Sequence, residues 1–176
     1  MSSLDGAQTE AQTGARADGS GTGVGPSHGR FVVVPASYVY LLRDGERGTE
    51  VLLQQRGDVA YMPFRWAAGA AGHVERGETA FDAAARELRE ELDVETHDLR
   101  FEFTMHRTLH ADPLDERVDF FFTARSWTGE PRVVEPTKCA RIAWFPIDDL
   151  PEALVPHERH AITHLGGPER YLTFGF

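Results

Sequence analysis

Apolar positions along this chain gather into runs, and the first run begins at Phe31. In FVVVPASYVYLLRDGERGTEVLLQQRG, apolar stretches at 31–34, 38–42 and 51–53 are divided by the turn-rich RDGERGTE, which predicts a β-hairpin. The next segment, DVAYMPFRWAAGAAGHVERGE, mixes glycine with aromatic residues and reads as a loop. From Ala80 the pattern takes a helical period. At about 100° per residue, Phe81, Ala84, Ala85, Leu88 and Leu92 share one apolar arc, predicting a helix over 80–92 with that arc buried. Thr79 and Asp82 supply a variant of the capping box at its start. LRFEFTMHRTLH and RVDFFFTARSW predict two antiparallel strands joined by ADPLDE, and CARIAWFPI a further strand with Trp144 and Phe145 near its end. A second helix is predicted over 156–165, stopped by Gly166 and Gly167. Strands and helices in this order make a mixed α/β domain, and no internal repeat is visible.

Before Phe31 the chain is built from Gly, Ser, Ala, Thr, Gln and Asp. Such a segment cannot bury enough surface to offset its ordering entropy, so residues 1–29 are expected to be a disordered tail and 30–176 the folded domain. The run DGSGTGVG within the tail resembles a phosphate loop only superficially. No strand precedes it and no Gly-Lys-Ser/Thr follows it.

At 176 residues the chain is long enough for one domain with a sizeable core. It has no run of about 18 apolar residues, so no membrane span is expected. The start MSSLDGAQTE lacks the basic and apolar parts of a secretory signal. Cys139 is the sole cysteine, which excludes an internal disulfide and a multi-cysteine zinc site and fits a cytoplasmic location. A formal net charge of −10 argues against nucleic acid or anionic lipid as partners, both being polyanions, but not against a small phosphorylated ligand. Lys138 is the only lysine beside many arginines, which reads as a compositional bias.

Arg86–Leu92 reads RELREEL, and in the expected helix Glu87, Glu90 and Glu91 lie three and four residues apart. Like charges at that spacing oppose a helix by about 0.2–0.5 kcal/mol per pair, so the cluster calls for a reason. A solvated acidic face would be the plain one. The wider spacing offers another: from Gly72, five residues lead to Glu78, and seven more to Arg86-Glu87. Leu88, one residue, Glu90-Glu91, one residue, Asp93 and Val94 follow. This resembles the Nudix box of the Nudix hydrolases (MutT-like), in which only the Gly expected at 93 is replaced, here by Asp. LLQQRG, Trp66 and AAGHVERGE upstream, and EPTKC with AWFPIDDLP downstream, are also similar to that family. The likeness therefore extends over most of 31–165.

The resemblance implies a Nudix-type α/β/α sandwich with a mixed central sheet. It also implies Mg²⁺ as cofactor, with Mn²⁺ as alternative, and Glu87, Glu90 and Glu91 as metal ligands together with the backbone carbonyl of Ala71. Hard divalent cations take carboxylate and phosphate oxygens, which explains the self-repelling cluster. One of these carboxylates would orient or deprotonate the attacking water. Glu78 and Arg86 would tie loop to helix, and Gly72 would let the backbone approach the metal. Asp93 should alter only the helix end, since Asp tolerates the left-handed conformation better than most residues. Arg56 stands where similar proteins place a phosphate-contacting arginine, and Glu135 where they place an extra acidic residue serving as base or outer ligand. Tyr61, Met62, Phe64 and Trp66 are candidates for stacking on a base. His73, His106 and His110 have no spacing that demands a metal.

The activity implied is Mg²⁺-dependent hydrolysis of the pyrophosphate linkage in a nucleoside diphosphate linked to another group. A nucleoside triphosphate, modified or not, yielding NMP and pyrophosphate is favoured. ADP-ribose, a dinucleotide or a sugar nucleotide is the alternative. The partner is then a small nucleotide, with a homodimer admitted. Three rivals stand beside it. Isopentenyl diphosphate isomerisation would need a catalytic cysteine, and Cys139 lies in a different setting. A non-catalytic nucleotide-sensing or protein-binding module would have lost box carboxylates, and all are present. A calcium-binding acidic surface gains nothing from Gly72 or Arg86.

Overall fold

The computed structural model describes residues 31–109 and 116–176. The expected tail over 1–29, His110 and nearly all of the ADPLDE connection lie outside the described residues.

Two strands, β1 (Val34–Gly45) and β2 (Gly48–Arg56), form the expected hairpin, with Gly45 paired to Gly48 across the turn. Gly48 has φ +115°, which a side chain would rarely adopt, so glycine closes the turn. Two short strands follow, β3 (Trp66–Ala68) and β4 (Ala70–His73), where the sequence reads as a loop. Alanine and glycine are poor strand formers by side chain. These segments are extended because β2 and β1 already offer backbone partners: Leu53–Gln55 pair with β3, and Ala36–Val39 with β4. Helix α1 (Ala80–Leu92) comes next, then β5 (Arg100–Arg107), β6 (Arg117–Ala124) and β7 (Cys139–Pro146). The chain ends in α2 (Pro156–Ile162) and β8 (Tyr171–Phe174).

The result is a mixed α/β domain on a large mixed sheet, ordered β3-β2-β1-β6-β5-β8, with β4 also paired to β1 and β7 to β2. β1 and β6 run parallel, as do β5 and β8. Along one edge β1 changes partner, from β4 at Ala36–Val39 to β2 at Leu42–Gly45. Gln54 of β2 and Ala71 and Gly72 of β4 flank that change, and all three line the principal cleft.

Alternation along β1 builds two cores. Tyr38, Tyr40 and Leu42 face the side covered by Ala161 and Ile162 of α2. Val39 and Leu41 face Ala84, Leu88 and Leu92 of α1. A strand buried on both faces needs apolar residues at every position, which SYVYLL nearly supplies. Each of the larger side chains contributes about 1.5–3 kcal/mol by leaving water.

Helix α1 has the predicted bounds and a full capping box. Thr79 Oγ1 accepts from the Asp82 N–H, and Asp82 Oδ2 accepts from the Thr79 N–H. Asp93 ends it in the left-handed region, φ 57° and ψ 39°, and pairs with Arg132 at 2.8 Å. The buried arc is rotated from the expected one. Ala83 is buried, whereas Phe81 is 48% exposed and only meets Phe122 edge-on. Glu87 joins the buried side, because α1 lies over β4 as well as β1 and so turns toward the glycine-bearing strand. Helix α2 is shorter than expected, ending at Ile162. The chain turns on to Gly166, which takes φ +72°. β8 was not foreseen, since four residues carry too little pattern to show a strand without their partner β5.

Candidate functional site

A cleft of about 670 Å³ opens beside α1, walled by Gln54, Gly72, Glu87, Glu90, Glu91 and Glu135. Sequence spacing placed the three helix glutamates on one face, and the fold turns that face to the divide between β2 and β4. Ala71, Arg56 and Lys138 also reach the cleft.

Arg86 is the hub of one wall. Its Nη2 donates to Glu78 Oε1 (2.8 Å) and to the His73 carbonyl (3.0 Å), and its Nε to Glu78 Oε2 (3.2 Å). Its Nη1 donates to Glu87 Oε1 (2.6 Å) and Glu90 Oε2 (3.0 Å). Two of the helix glutamates thus share a basic partner from their own helix. One guanidinium nitrogen serves two of them and draws their carboxylates together. The pair with Glu78 is no ordinary surface contact either, both side chains being mostly buried at 21% and 16% exposure. Glu78 Oε1 also accepts from the Glu75 N–H, and Arg86 holds the Glu78 carboxyl below its ordinary range.

Glu91 points to the other wall, where its Oε2 accepts from the Ala71 N–H (2.9 Å) and from Gln54 Nε2 (3.2 Å). Ala71 thus fixes Glu91 through its N–H, beside the carbonyl expected to meet a metal. Burial pushes the Glu91 carboxyl up to about 7, aided by the charges of Glu87 and Glu135 and opposed by those two hydrogen bonds. Burial also raises Glu87, against the pull of Arg86. Gly72 leaves the room that Glu87 takes. A Cβ there would lie 1.9 Å from Glu87 Oε1.

The donor set suits a hard divalent cation: three carboxylates in one cleft, two of them pushed toward protonation by burial and mutual charge. Among the described residues no three acidic or ligating side chains already converge as a metal cage. Arg86 and the Ala71 N–H hold the carboxylates where they stand.

Glu135, expected as base or outer ligand, does stand in this cleft, and its Oε2 accepts from Lys138 Nζ at 2.9 Å. Arg56 lines it too, with Nε donating to the Tyr61 carbonyl and its guanidinium over the Tyr61 ring. Trp66 does not serve as a stacking face here. It is 6% exposed, packed edge-on against Phe145, and lines neither lobe of the site. Its backbone is held by Ala153 and Val155, so the loop before α2 seals it into the core. Tyr61 lines the adjoining lobe and is 38% exposed, and Phe64 is 58% exposed but lines neither lobe. Met62 and Phe64 take positive φ, 44° and 60°.

A second lobe of about 470 Å³ continues from the first, sharing Gln54, Arg56, Ala71, Gly72 and Glu91. Beyond these it is lined by Tyr38, Arg107, Arg117, His157 and Glu158. Pattern reasoning missed this group. Arg107 and Arg117 sit inside strand sequences, and His157 and Glu158 begin a helix, so only strand pairing and the docking of α2 bring them together. Arg107 Nε donates to Asp119 Oδ2 at 2.8 Å, with 3% and 0% of the side chains exposed. Asp119→Ala should strand a buried guanidinium and cost about 3–5 kcal/mol, read as a lower denaturant midpoint. Replacing both, with Arg107→Met, should recover much of that loss.

Glu158 is fully enclosed and accepts from the Ala68 N–H, and burial raises its carboxyl to about 8. Raised above its ordinary 4.5, it holds a proton in the folded chain that the unfolded chain gives up. Its contribution to stability is complete below about 4.5 and is lost as pH rises to about 8. Thermal melts across that window should fall with pH in the native chain and flatten in Glu158→Gln, which keeps an acceptor for Ala68. Equal slopes in both would show that Glu158 ionises freely. His157 is pushed far below its ordinary range by burial and by the nearby guanidiniums of Arg107, Arg117 and Arg56.

Cys139 is buried at the start of β7, its thiol donating to the Arg141 carbonyl, and it lines neither lobe. His73 Nε2 lies 2.7 Å from Arg117 Nη1, and His106 Nδ1 lies 3.4 Å from the Tyr171 hydroxyl. No described helix is long and apolar enough to cross a membrane.

Comparison with known proteins finds the model of the NUDIX domain matching residues 33–165. An isopentenyl-diphosphate Delta-isomerase of Jannaschia sp. (strain CCS1) is 30% identical over 127 residues, 70% of each chain. Among solved structures, a MutT NUDIX hydrolase from Burkholderia pseudomallei superposes with a TM-score of 0.68 at 28% identity, over 75% of this chain and 97% of that one. The NUDIX domain of Shewanella oneidensis NrtR, solved with ADP ribose, gives a TM-score of 0.63 at 17% identity, over 79% and 89%, a likeness of fold.

Proposed function

The chain belongs to the NUDIX family and is a hydrolase of phosphoric anhydride bonds, and on that premise we propose that it hydrolyses the pyrophosphate linkage of a nucleoside diphosphate joined to another group, using Mg²⁺ or Mn²⁺. The observation that carries this reading is the cleft in which Glu87, Glu90 and Glu91 stand together while Gly72 gives Glu87 its place. A (modified) nucleoside triphosphate, cleaved to NMP and pyrophosphate, is the favoured substrate. ADP-ribose, dinucleotides and sugar nucleotides form the second group.

Glu87, Glu90, Glu91 and the Ala71 backbone carbonyl would hold the cation, which when bound draws charge from the anhydride oxygens and acidifies a water. Arg86 fixes Glu87 and Glu90 from behind, with Glu78 anchoring the guanidinium. Gln54 and the Ala71 N–H orient Glu91. Glu135, which lines the same cleft, would accept a proton from the attacking water, and Lys138 and Arg56 would attract the substrate's phosphates. Isomerisation, the activity named for the Jannaschia relative, would need a catalytic cysteine in the site, and Cys139 lines neither lobe. The lone cysteine also favours a cytoplasmic setting.

The test is phosphate, pyrophosphate and nucleotide release from dNTPs, oxidised dNTPs, ADP-ribose, NADH and diadenosine polyphosphates with Mg²⁺ or Mn²⁺. Metal-dependent turnover of one group is expected, with none in chelator. Metal binding with no turnover of any compound would favour a non-catalytic module.

A further inference from the structure

The interior face of a sheet is an expensive place for charge. Nevertheless Arg107, Asp119, His157 and Glu158 are all buried at the second lobe or directly behind it, with Arg117 beside them. Arg107 Nε and Asp119 Oδ2 satisfy one another, while Asp119 Oδ1 is buried without a hydrogen-bond partner among the described residues, 3.9 Å from Arg117 Nε. The rest is incomplete: His157 Nε2 and Arg117 Nε are buried and have no hydrogen-bond partner among the described residues. Buried polar atoms are seldom left so, and two such atoms around one cavity suggest that a ligand completes them.

We propose that this lobe receives an anionic group of the substrate, a phosphate or a carboxylate, lying beyond the anhydride held in the first cleft. The inference rests on the pyrophosphohydrolase reading above. Three guanidiniums, of Arg56, Arg107 and Arg117, meet three carboxylates, of Glu91, Asp119 and Glu158. Burial keeps Glu158 protonated toward pH 8, which leaves the guanidiniums in excess. Guanidinium matches the planar oxygens of both anions. His157, kept neutral by burial, offers a hydrogen bond without further charge. A hydrocarbon tail would leave these groups buried and unpaired, so the lobe selects against one. Five residues line both lobes, so one molecule can span them.

Two matched pairs of compounds test this. ATP against its γ-methyl ester differs by one phosphate charge, and UDP-glucuronate against UDP-glucose by one carboxylate. The anionic member of at least one pair should have a kcat/KM higher by about tenfold or more, mainly through KM. Arg117→Gln and His157→Gln should bring that ratio close to one, and the pair affected tells phosphate from carboxylate. A ratio near one in both pairs, or a preference that survives both substitutions, would overturn the proposal.

A readout without turnover separates this inference from the one beneath it. In the chelator-treated native chain, inorganic phosphate or malonate should move the imidazole NMR resonances of His157 saturably, and much less in Arg117→Gln that melts like the native chain. If no member of either pair and no compound of the panel above is hydrolysed, the reading of the first cleft has failed. The movement of His157 then upholds the lobe, and its stillness rejects it.

Discussion

Glu91→Gln is expected to lower kcat/KM by on the order of 10²–10³ while leaving the fold intact. The substitution keeps an oxygen to accept from the Ala71 N–H and removes only the charge. Stability should respond in a direction set by burial. The native carboxyl is pushed up to about 7, so above that pH the metal-free chain carries a buried anion that the variant lacks. The variant should therefore melt no lower, and at alkaline pH higher, than the native chain in chelator. With Mg²⁺ the order should reverse, because the native chain alone gains from binding. Melting curves with and without Mg²⁺, beside steady-state rates, check both halves. Turnover retained within tenfold would remove Glu91 from the catalytic set.

Gly72→Ala is expected to act through Glu87. A methyl group at 72 would meet Glu87 Oε1 at 1.9 Å and Cδ at 2.2 Å, distances no packing can absorb unless the carboxylate moves. It is a chain end, but not a free one, since Arg86 Nη1 holds it at 2.6 Å. The displaced carboxylate loosens Arg86, which also binds Glu90, Glu78 and the His73 carbonyl. Activity should fall about 10²-fold, the scale on which displaced catalytic groups are felt. Because both changes remove the same carboxylate, Gly72→Ala combined with Glu87→Gln should lose little more than the worse single variant. Full additivity in the cycle would show that Gly72 acts independently of Glu87.

These expectations draw unequally on sequence and structure. Helix α1 was legible to its ends, because apolar period, capping box and a left-handed stop are all local and agree with one another. The hairpin turn and strands β5 to β7 were legible for the same reason. β3, β4 and β8 were not. AAGAAGH has no strand pattern of its own and is extended because β2 and β1 offer it backbone partners, and β8 exists only against β5. The acidic cleft was readable as a spacing of residues, since one helix face carries three of its groups. What those groups touch was not: Arg86 bridging two glutamates, and Gln54 and Ala71 turning Glu91, are contacts across the sheet divide.

Trp66 shows the limit from the other side. Its residue type suggested a stacking face, and the chain before α2 buries it instead. The second lobe shows it most fully. Arg107, Arg117, His157 and Glu158 are spread over 52 residues of chain with no shared period. By itself the sequence determined the family, the helix that carries the carboxylates and their spacing, because a helix converts sequence distance into spatial distance by a fixed rule. The tertiary structure alone decided which charges are buried together, since strand order and helix docking follow no such rule and only they bring distant residues to one cavity.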